Sequence, residues 1–138
     1  MWDAWGVTRT LNAASAMHSW RMRQTVLIID DHAGFRRAAR ALLEFDGYEV
    51  VGEAADAASG LCASRRLRPD IVLLDVGLPD ESGLQLAARL HNEAEPPAVV
   101  LVSSRDQADL GPLVERCGAR GFIAKAELSA AALERIVR

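Results

Sequence analysis

Cysteine is scarce in this chain: there are two among 138 residues, Cys62 and Cys117, in neither a CxxC pair nor any metal-ligand spacing. The usual signs of a disulfide framework or a thiolate zinc site are therefore missing, and free thiols in a reducing cytoplasm are expected. Long apolar runs are missing too. No stretch approaches the roughly 18 residues that a transmembrane helix needs. Asp3, Thr8, Arg9 and Asn12 interrupt the amino-terminal segment, which lacks the apolar core of a secretory signal. Basic residues are not in excess either. Sixteen Lys and Arg stand against 19 Asp and Glu, for a net charge of −3, so no global charge draws this chain to nucleic acid. Internal repeats and low-complexity segments are also absent.

What is present is ordinary globular composition, 50% hydrophobic and 25% charged, in a length that suits one domain. Residues 1–23 differ from the rest: they hold all three tryptophans, Trp2, Trp5 and Trp20, without a sustained period. They are expected to form a disordered or loosely docked arm, with one domain over 24–138. From Thr25 onward, strand-like and helix-like segments alternate. Strands are expected over 25–29, 48–54, 71–74, 98–102 and 121–124. Helices are expected over 33–45, with Phe35, Ala38, Ala39 and Leu42 on one face, over 56–67 behind Asp56, from Ser82 to about 92, up to Cys117, and from about 128 to the end. Gly111-Pro112 falls within the fourth helical stretch. Proline is tolerated in a first helical turn and not in an interior, so the regular helix is predicted to start near Pro112, after a longer loop over 104–111. Five βα units imply a parallel sheet with helices on both faces and right-handed crossovers.

Three aspartates stand where two apolar runs end. Asp30 and Asp31 close Val26-Leu27-Ile28-Ile29, and Asp75 closes Ile71-Val72-Leu73-Leu74. Continuous apolar runs of this length read as strands buried on both faces, and the carboxyl ends of such strands border the crevice where open α/β sheets bind ligands. Three carboxylates brought together there repel one another unless a cation lies between them, and oxygen ligands suit Mg2+ or Ca2+. Ser103 and Lys125 end or follow the fourth and fifth strands and point into the same crevice. An ammonium and a metal ion beside a carboxylate would neutralise phosphoryl oxygens, and a carboxylate can attack phosphorus. Asp75 is the natural nucleophile, because the adjacent Asp30 and Asp31 serve better together as metal holders.

The pair Asp30-Asp31, the segment from Pro69 to Pro79 around Asp75, Gly83, Ser103 and Gly121-Phe122-Ile123-Ala124-Lys125 together resemble a response-regulator receiver domain of bacterial two-component signalling. The string Asp30-Asp31-His32 with Phe35-Arg36, Val51-Gly52-Glu53-Ala54, and Ala126 after Lys125 are similar to the LuxR/NarL-type subfamily. The resemblance covers about Thr25 to Val137. It implies a flavodoxin-like (CheY-like), doubly wound, five-stranded parallel sheet of order 2-1-3-4-5. It implies Asp75 as phosphoacceptor, Mg2+ held by Asp30, Asp31, Asp75 and the backbone carbonyl of Gly77, Lys125 paired with the phosphoryl group, and Ser103 and Phe122 as a switch pair. A histidine kinase is the implied partner, self-association through a receiver face a further one, and DNA is reached only through a domain absent from this chain. No membrane contact and no enzymatic turnover are implied.

The leading expectation is thus a phosphoacceptor switch with a transcriptional output, in the cytoplasm. A phosphorylation-independent interaction module with the same fold is the alternative. A phosphohydrolase using an aspartyl-phosphate is disfavoured, because no second acid follows Asp75 at DxD spacing. His32 and the arginines of the first helix are expected to be solvated. Gly77 leaves one side of the acyl phosphate uncovered, and Arg105, two residues past Ser103, is expected to reach over the other and affect phosphate lifetime by shielding it or guiding water.

Overall fold

The apolar runs pair into one sheet. The structure is a computed structural model that describes residues 24–104 and 110–138. In it β1 (Thr25–Ile29), β2 (Glu49–Ala54), β3 (Ile71–Asp75), β4 (Ala98–Ser103) and β5 (Gly121–Ala124) lie in the order β2-β1-β3-β4-β5. Every neighbouring pair is parallel. The helices are α1 (Ala33–Phe45), α2 (Ala57–Leu67), α3 (Gly83–His91), α4 (Gly111–Arg116) and α5 (Ala130–Val137). The arm expected over 1–23 and the role expected of Arg105 lie outside the described residues.

The pleat of the strands divides the core into two layers. Leu27, Ile29, Val72, Leu74, Val99, Leu101 and Phe122 pack on one face against Ala57 and Ala63 of α2, Leu86, Ala87 and Leu90 of α3, and Val114 of α4. Val26, Ile28, Ile71, Leu73, Val100, Val102 and Ile123 pack on the other against Ala39 and Leu43 of α1 and Ala130 and Leu133 of α5. Burial on both faces is why β1, β3 and β4 read as unbroken apolar runs rather than alternating ones.

Local signals account for most boundaries. The Asp56 side chain accepts from Ser59 N at the start of α2, and Ser82 accepts from Leu84 N at the start of α3. Pro112 sits in the first turn of α4, which begins at Gly111, where the missing amide hydrogen costs nothing. Two expectations need correction. The last helix begins at Ala130 behind the cap Ser129, because Lys125–Glu127 form a separate 3-10 turn closed by Leu128 N donating to Lys125 O at 3.3 Å. The inner face of α1 centres on Ala39 and Leu43, with Phe35 and Leu42 at its margin and Ala38 exposed.

The loop after β3 is tied down from both sides. Gly83 N donates to Val76 O at 2.8 Å, and Gly77 bridges to Ser82. Asp80 at the loop tip accepts from Ala57 N at 2.8 Å and Ala58 N at 3.0 Å, so it caps α2 from a distance. These amides hold the Asp80 carboxyl below the usual carboxylate range. Gly83 is needed because a Cβ there would collide with the backbone carbonyl of Asp75. Gly83→Ala is predicted to lower stability by about 1–3 kcal/mol. Urea denaturation measures this, with the midpoint falling at unchanged slope.

Candidate functional site

Register brings the acidic residues together. Ile29 of β1 pairs with Leu74 of β3, so Asp30 and Asp75 leave the two central strands side by side. Asp75 pairs with Val102 and Ser103 with Ala124, which sets Ser103 and Lys125 at the neighbouring strand ends. Asp30, Asp75 and Ser103 are all buried. Carboxylate oxygens of Asp30, Asp31 and Asp75 and a ring nitrogen of His32 lie within 4.8 Å of one another.

One ammonium serves this cluster. Lys125 Nζ lies 2.7 Å from Asp30 Oδ2 and 3.6 Å from Asp75 Oδ2. Asp30 Oδ2 is fully buried and accepts no hydrogen bond of good geometry, so its contact with Lys125 is an ion pair rather than a directed bond. The other oxygen, Oδ1, accepts from His32 N at 2.8 Å. Gly77 N donates to Asp75 Oδ1 at 3.2 Å. Burial, and after it the charge of Asp30, pushes the Asp75 carboxyl above the usual carboxylate range; the Gly77 amide and Lys125 pull the other way.

Three carboxylates facing one ammonium leave a deficit of positive charge. The donor set is oxygen-rich, partly exposed at Asp31 and open on one side, which fits a hard divalent cation. Asp30, Asp31 and Asp75 are the side chains that could hold it.

The structure gathers Asp30, Asp31, Asp75, Gly77 and Lys125 in one place. Phe122 lies one layer deeper, buried among Leu101, Leu110 and Val114. Sequence reasoning missed the supports around the cluster. The His32 ring is exposed, as expected, and its Nδ1 also lies 3.1 Å from both Asp30 Oδ1 and Asp31 Oδ1. The Phe35 ring lies under Lys125, 4.7 Å from Nζ to the ring centroid. Arg36 Nη1 donates to the Asp30 carbonyl at 2.7 Å, while its Nε reaches Glu53 at 3.0 Å. Arg40 Nε also binds Glu53, at 2.7 Å, and these arginines hold the Glu53 carboxyl below its usual range. The arginine face of α1 is therefore partly spent on β2. Only the string Val51-Gly52-Glu53-Ala54 hinted at this, and solely as a likeness.

A doubly wound parallel sheet of order β2-β1-β3-β4-β5 with acidic residues at the ends of its central strands is the architecture of a receiver-type α/β domain. The family model described as the response regulator receiver domain matches residues 26–138, and this chain belongs to that family. It is 38% identical over 106 residues to the virulence-factor transcription regulator BvgA of Bordetella pertussis, an alignment covering 77% of this chain and 51% of BvgA. It is 37% identical over 102 residues to the nitrate/nitrite response regulator protein NarP of Escherichia coli, covering 72% of this chain and 47% of NarP. The chain thus spans about half the length of these curated relatives. Among solved structures, the NarL receiver domain of Mycobacterium tuberculosis aligns with a TM-score of 0.73 at 34% identity, covering 82% of this chain and 95% of that one. A LuxR-family response regulator from Aurantimonas sp. aligns with a TM-score of 0.75 at 29% identity, covering 82% and 84%. Among the described residues no helix is long and apolar enough to cross a membrane.

The raised Asp75 carboxyl has a consequence for stability. An acid whose folded pKa exceeds its unfolded value costs stability wherever it is ionised, so the cost is full above the folded pKa and vanishes below the unfolded one. Asp75→Asn is predicted to raise the melting temperature at neutral pH in the presence of a chelator. The gain shrinks as the pH falls through the folded pKa of Asp75 and disappears below the ordinary carboxylate range. Melting curves of both proteins across acid pH check this.

Proposed function

We propose that this receiver takes a phosphoryl group onto Asp75 from the phosphohistidine of a histidine kinase, in a reaction that requires Mg2+. The observation that carries the reading is the placement of a buried carboxylate 3.6 Å from an ammonium and within 4.8 Å of two further carboxylates. An oxygen of Asp75 attacks phosphorus as the bond to the donor's imidazole nitrogen breaks. Asp30, Asp31, Asp75 and the Gly77 carbonyl would hold Mg2+, which supplies positive charge against the phosphoryl oxygens.

The chain's own residues do the rest. Lys125 stands between Asp30 and Asp75, ready to exchange part of its pairing with Asp30 for a phosphoryl oxygen. Gly77 N–H already points at Asp75 Oδ1 and steadies the attacking carboxylate. Ser103, buried at the end of β4, is the hydroxyl that closes on the new phosphate. Phe122 then repacks, and α4 with β5 and α5 carries the change outward. The step is stoichiometric, so the domain assists its own modification without acting as an enzyme.

Relatives named as transcription regulators support a transcriptional output in the cytoplasm, with DNA bound through a further domain and with self-association through a receiver face as a second contact. A phosphorylation-independent interaction module is the competing account. Acetyl phosphate separates the two. With Mg2+ present, intact-mass measurement is expected to show the gain of one phosphoryl group, lost in Asp75→Asn and on chelation. Lys125→Ala is expected to slow the gain by on the order of a hundredfold. An unmodified parent protein would favour the competing account.

A further inference from the structure

The loop between β3 and α3 carries Gly77, whose backbone the proposed transfer uses twice. Its N–H steadies Asp75, and its carbonyl would be a ligand of the divalent ion. Nothing about Gly77 itself fixes that backbone. It has no side chain, and a Cβ built on it would meet no atom within 4 Å, so it stands in open space. The loop closes on itself at its base, through Gly83 N donating to Val76 O at 2.8 Å and the bridge between Gly77 and Ser82. Leu78 rests against the core layer of α2 and α3, a contact without direction. These contacts set the internal shape of the loop and leave open where its tip points.

Asp80 at the tip supplies the direction. Its carboxylate crosses to the start of α2, with Oδ1 accepting from Ala57 N at 2.8 Å and Oδ2 from Ala58 N at 3.0 Å. Two oxygens on two successive amides fix both the place and the orientation of the carboxylate, as one bond would not. On the other side of the tip, Glu81 Oε1 lies 3.1 Å from Arg89 Nη2 of α3, a half-exposed ion pair of the kind that constrains little. Helix α2 has small need of Asp80. Asp56 is its N-cap, accepting from Ser59 N at 2.8 Å, and the first helical bond runs from Gly60 N to Asp56 O at 3.0 Å. Ala58 is exposed, so water would take its amide in place of Asp80. A second carboxylate brought from a distant loop thus does less for the helix than for the loop it restrains.

We propose that Asp80 is a positioning residue: by anchoring the loop tip to α2 it holds the Gly77 N–H and carbonyl in place for Asp75 and for Mg2+ before the ion arrives. The inference rests on the reading of Asp30, Asp31 and Asp75 as a Mg2+ site and extends it to a residue outside that cluster. Groups that orient the ligands of a metal contribute on the order of ten- to a hundredfold to its affinity. An anchor three residues along the chain from Gly77 belongs at the lower end of that range.

The test measures Mg2+ binding to the unphosphorylated full chain by calorimetry, and hydrogen exchange of the Gly77 amide in the metal-free protein by NMR. In Asp80→Ala, Mg2+ affinity is expected to fall about tenfold and Gly77 exchange to speed up by about tenfold or more. Asp80→Asn keeps one acceptor oxygen and falls between that variant and the parent on both readouts. Asp56→Ala is the control: it removes the cap of the same helix and lowers the urea midpoint at least as far as Asp80→Ala, yet leaves Mg2+ affinity within about twofold of the parent. Unchanged Mg2+ affinity in Asp80→Ala would overturn the role of Asp80. So would an equal loss in Asp56→Ala, which would trace to a weakened α2 rather than to the loop. A parent that binds no Mg2+, or an Asp31→Asn variant that binds it as well as the parent, overturns the divalent-site reading instead, and the Gly77 exchange rates then still decide whether Asp80 holds the loop.

Discussion

The ion pair between Lys125 and the buried Asp30, at 2.7 Å, is the contact on which the site depends. A carboxylate removed from water is costly unless it is paired, and this one has a second buried carboxylate beside it on the next strand. A single ammonium cannot neutralise both, and burial, with the charge of Asp30 after it, raises the Asp75 carboxyl. The cluster is therefore held short of positive charge by construction. A divalent ion would relieve this deficit, and Asp75 is a carboxylate already stripped of most of its water.

The scaffold around this pair works by fixing the backbones that bear the charges. Thr25 and Asp70 lock the opposite ends of β1 and β3 together, with Thr25 N donating to Asp70 Oδ2 and Asp70 N donating to Thr25 Oγ1, both at 2.9 Å. A one-residue slip of this register would move Asp30 to the other face of the sheet. At the site end, Arg36 grips the Asp30 carbonyl and is itself held by Glu53. Phe35 supports Lys125 from below. Asp80 fastens the tip of the β3–α3 loop to α2, and Gly83 lets that loop pass against Asp75.

Much of this was legible in the chain because its signals are local. Fully buried parallel strands leave continuous apolar runs, and the residue after each run marks a strand end, so Asp30, Asp75, Ser103 and Lys125 announced themselves. Caps such as Asp56 and Ser82 depend on a few consecutive residues, and so does Pro112 in the first turn of α4. The parts that escaped notice depend on geometry between distant segments. Whether the exposed His32 ring also reaches the acidic pair is decided by the angle at which α1 leaves β1. The pairing of Arg36 and Arg40 with Glu53 needs β2 to lie beneath α1, and an amphipathic pattern on α1 alone reads the same with or without it. The start of the last helix was misplaced because Lys125–Glu127 form a 3-10 turn, whose residues also suit an α-helix.

The pleat puts Asp75 and Ser103 on opposite phases of the sheet. Asp75 shares the phase of Ile71 and Leu73, on the α1 and α5 face, together with its register partner Val102. Ser103 has the phase of Val99 and Leu101, and its partner Ala124 packs on the face that carries α2, α3 and α4. Asp75 and Ser103 thus stand at adjacent strand ends with opposite phase, one toward each layer of the core. One element of the Ser103 face is weakly held. Helix α4 has six residues, too few to persist without tertiary contacts, and it has no side-chain cap. It is kept in position by Leu110 and Val114, which pack in the same layer as Leu101 and Phe122. A strongly constrained charge cluster thus lies one strand end away from a layer that holds an element of low intrinsic stability.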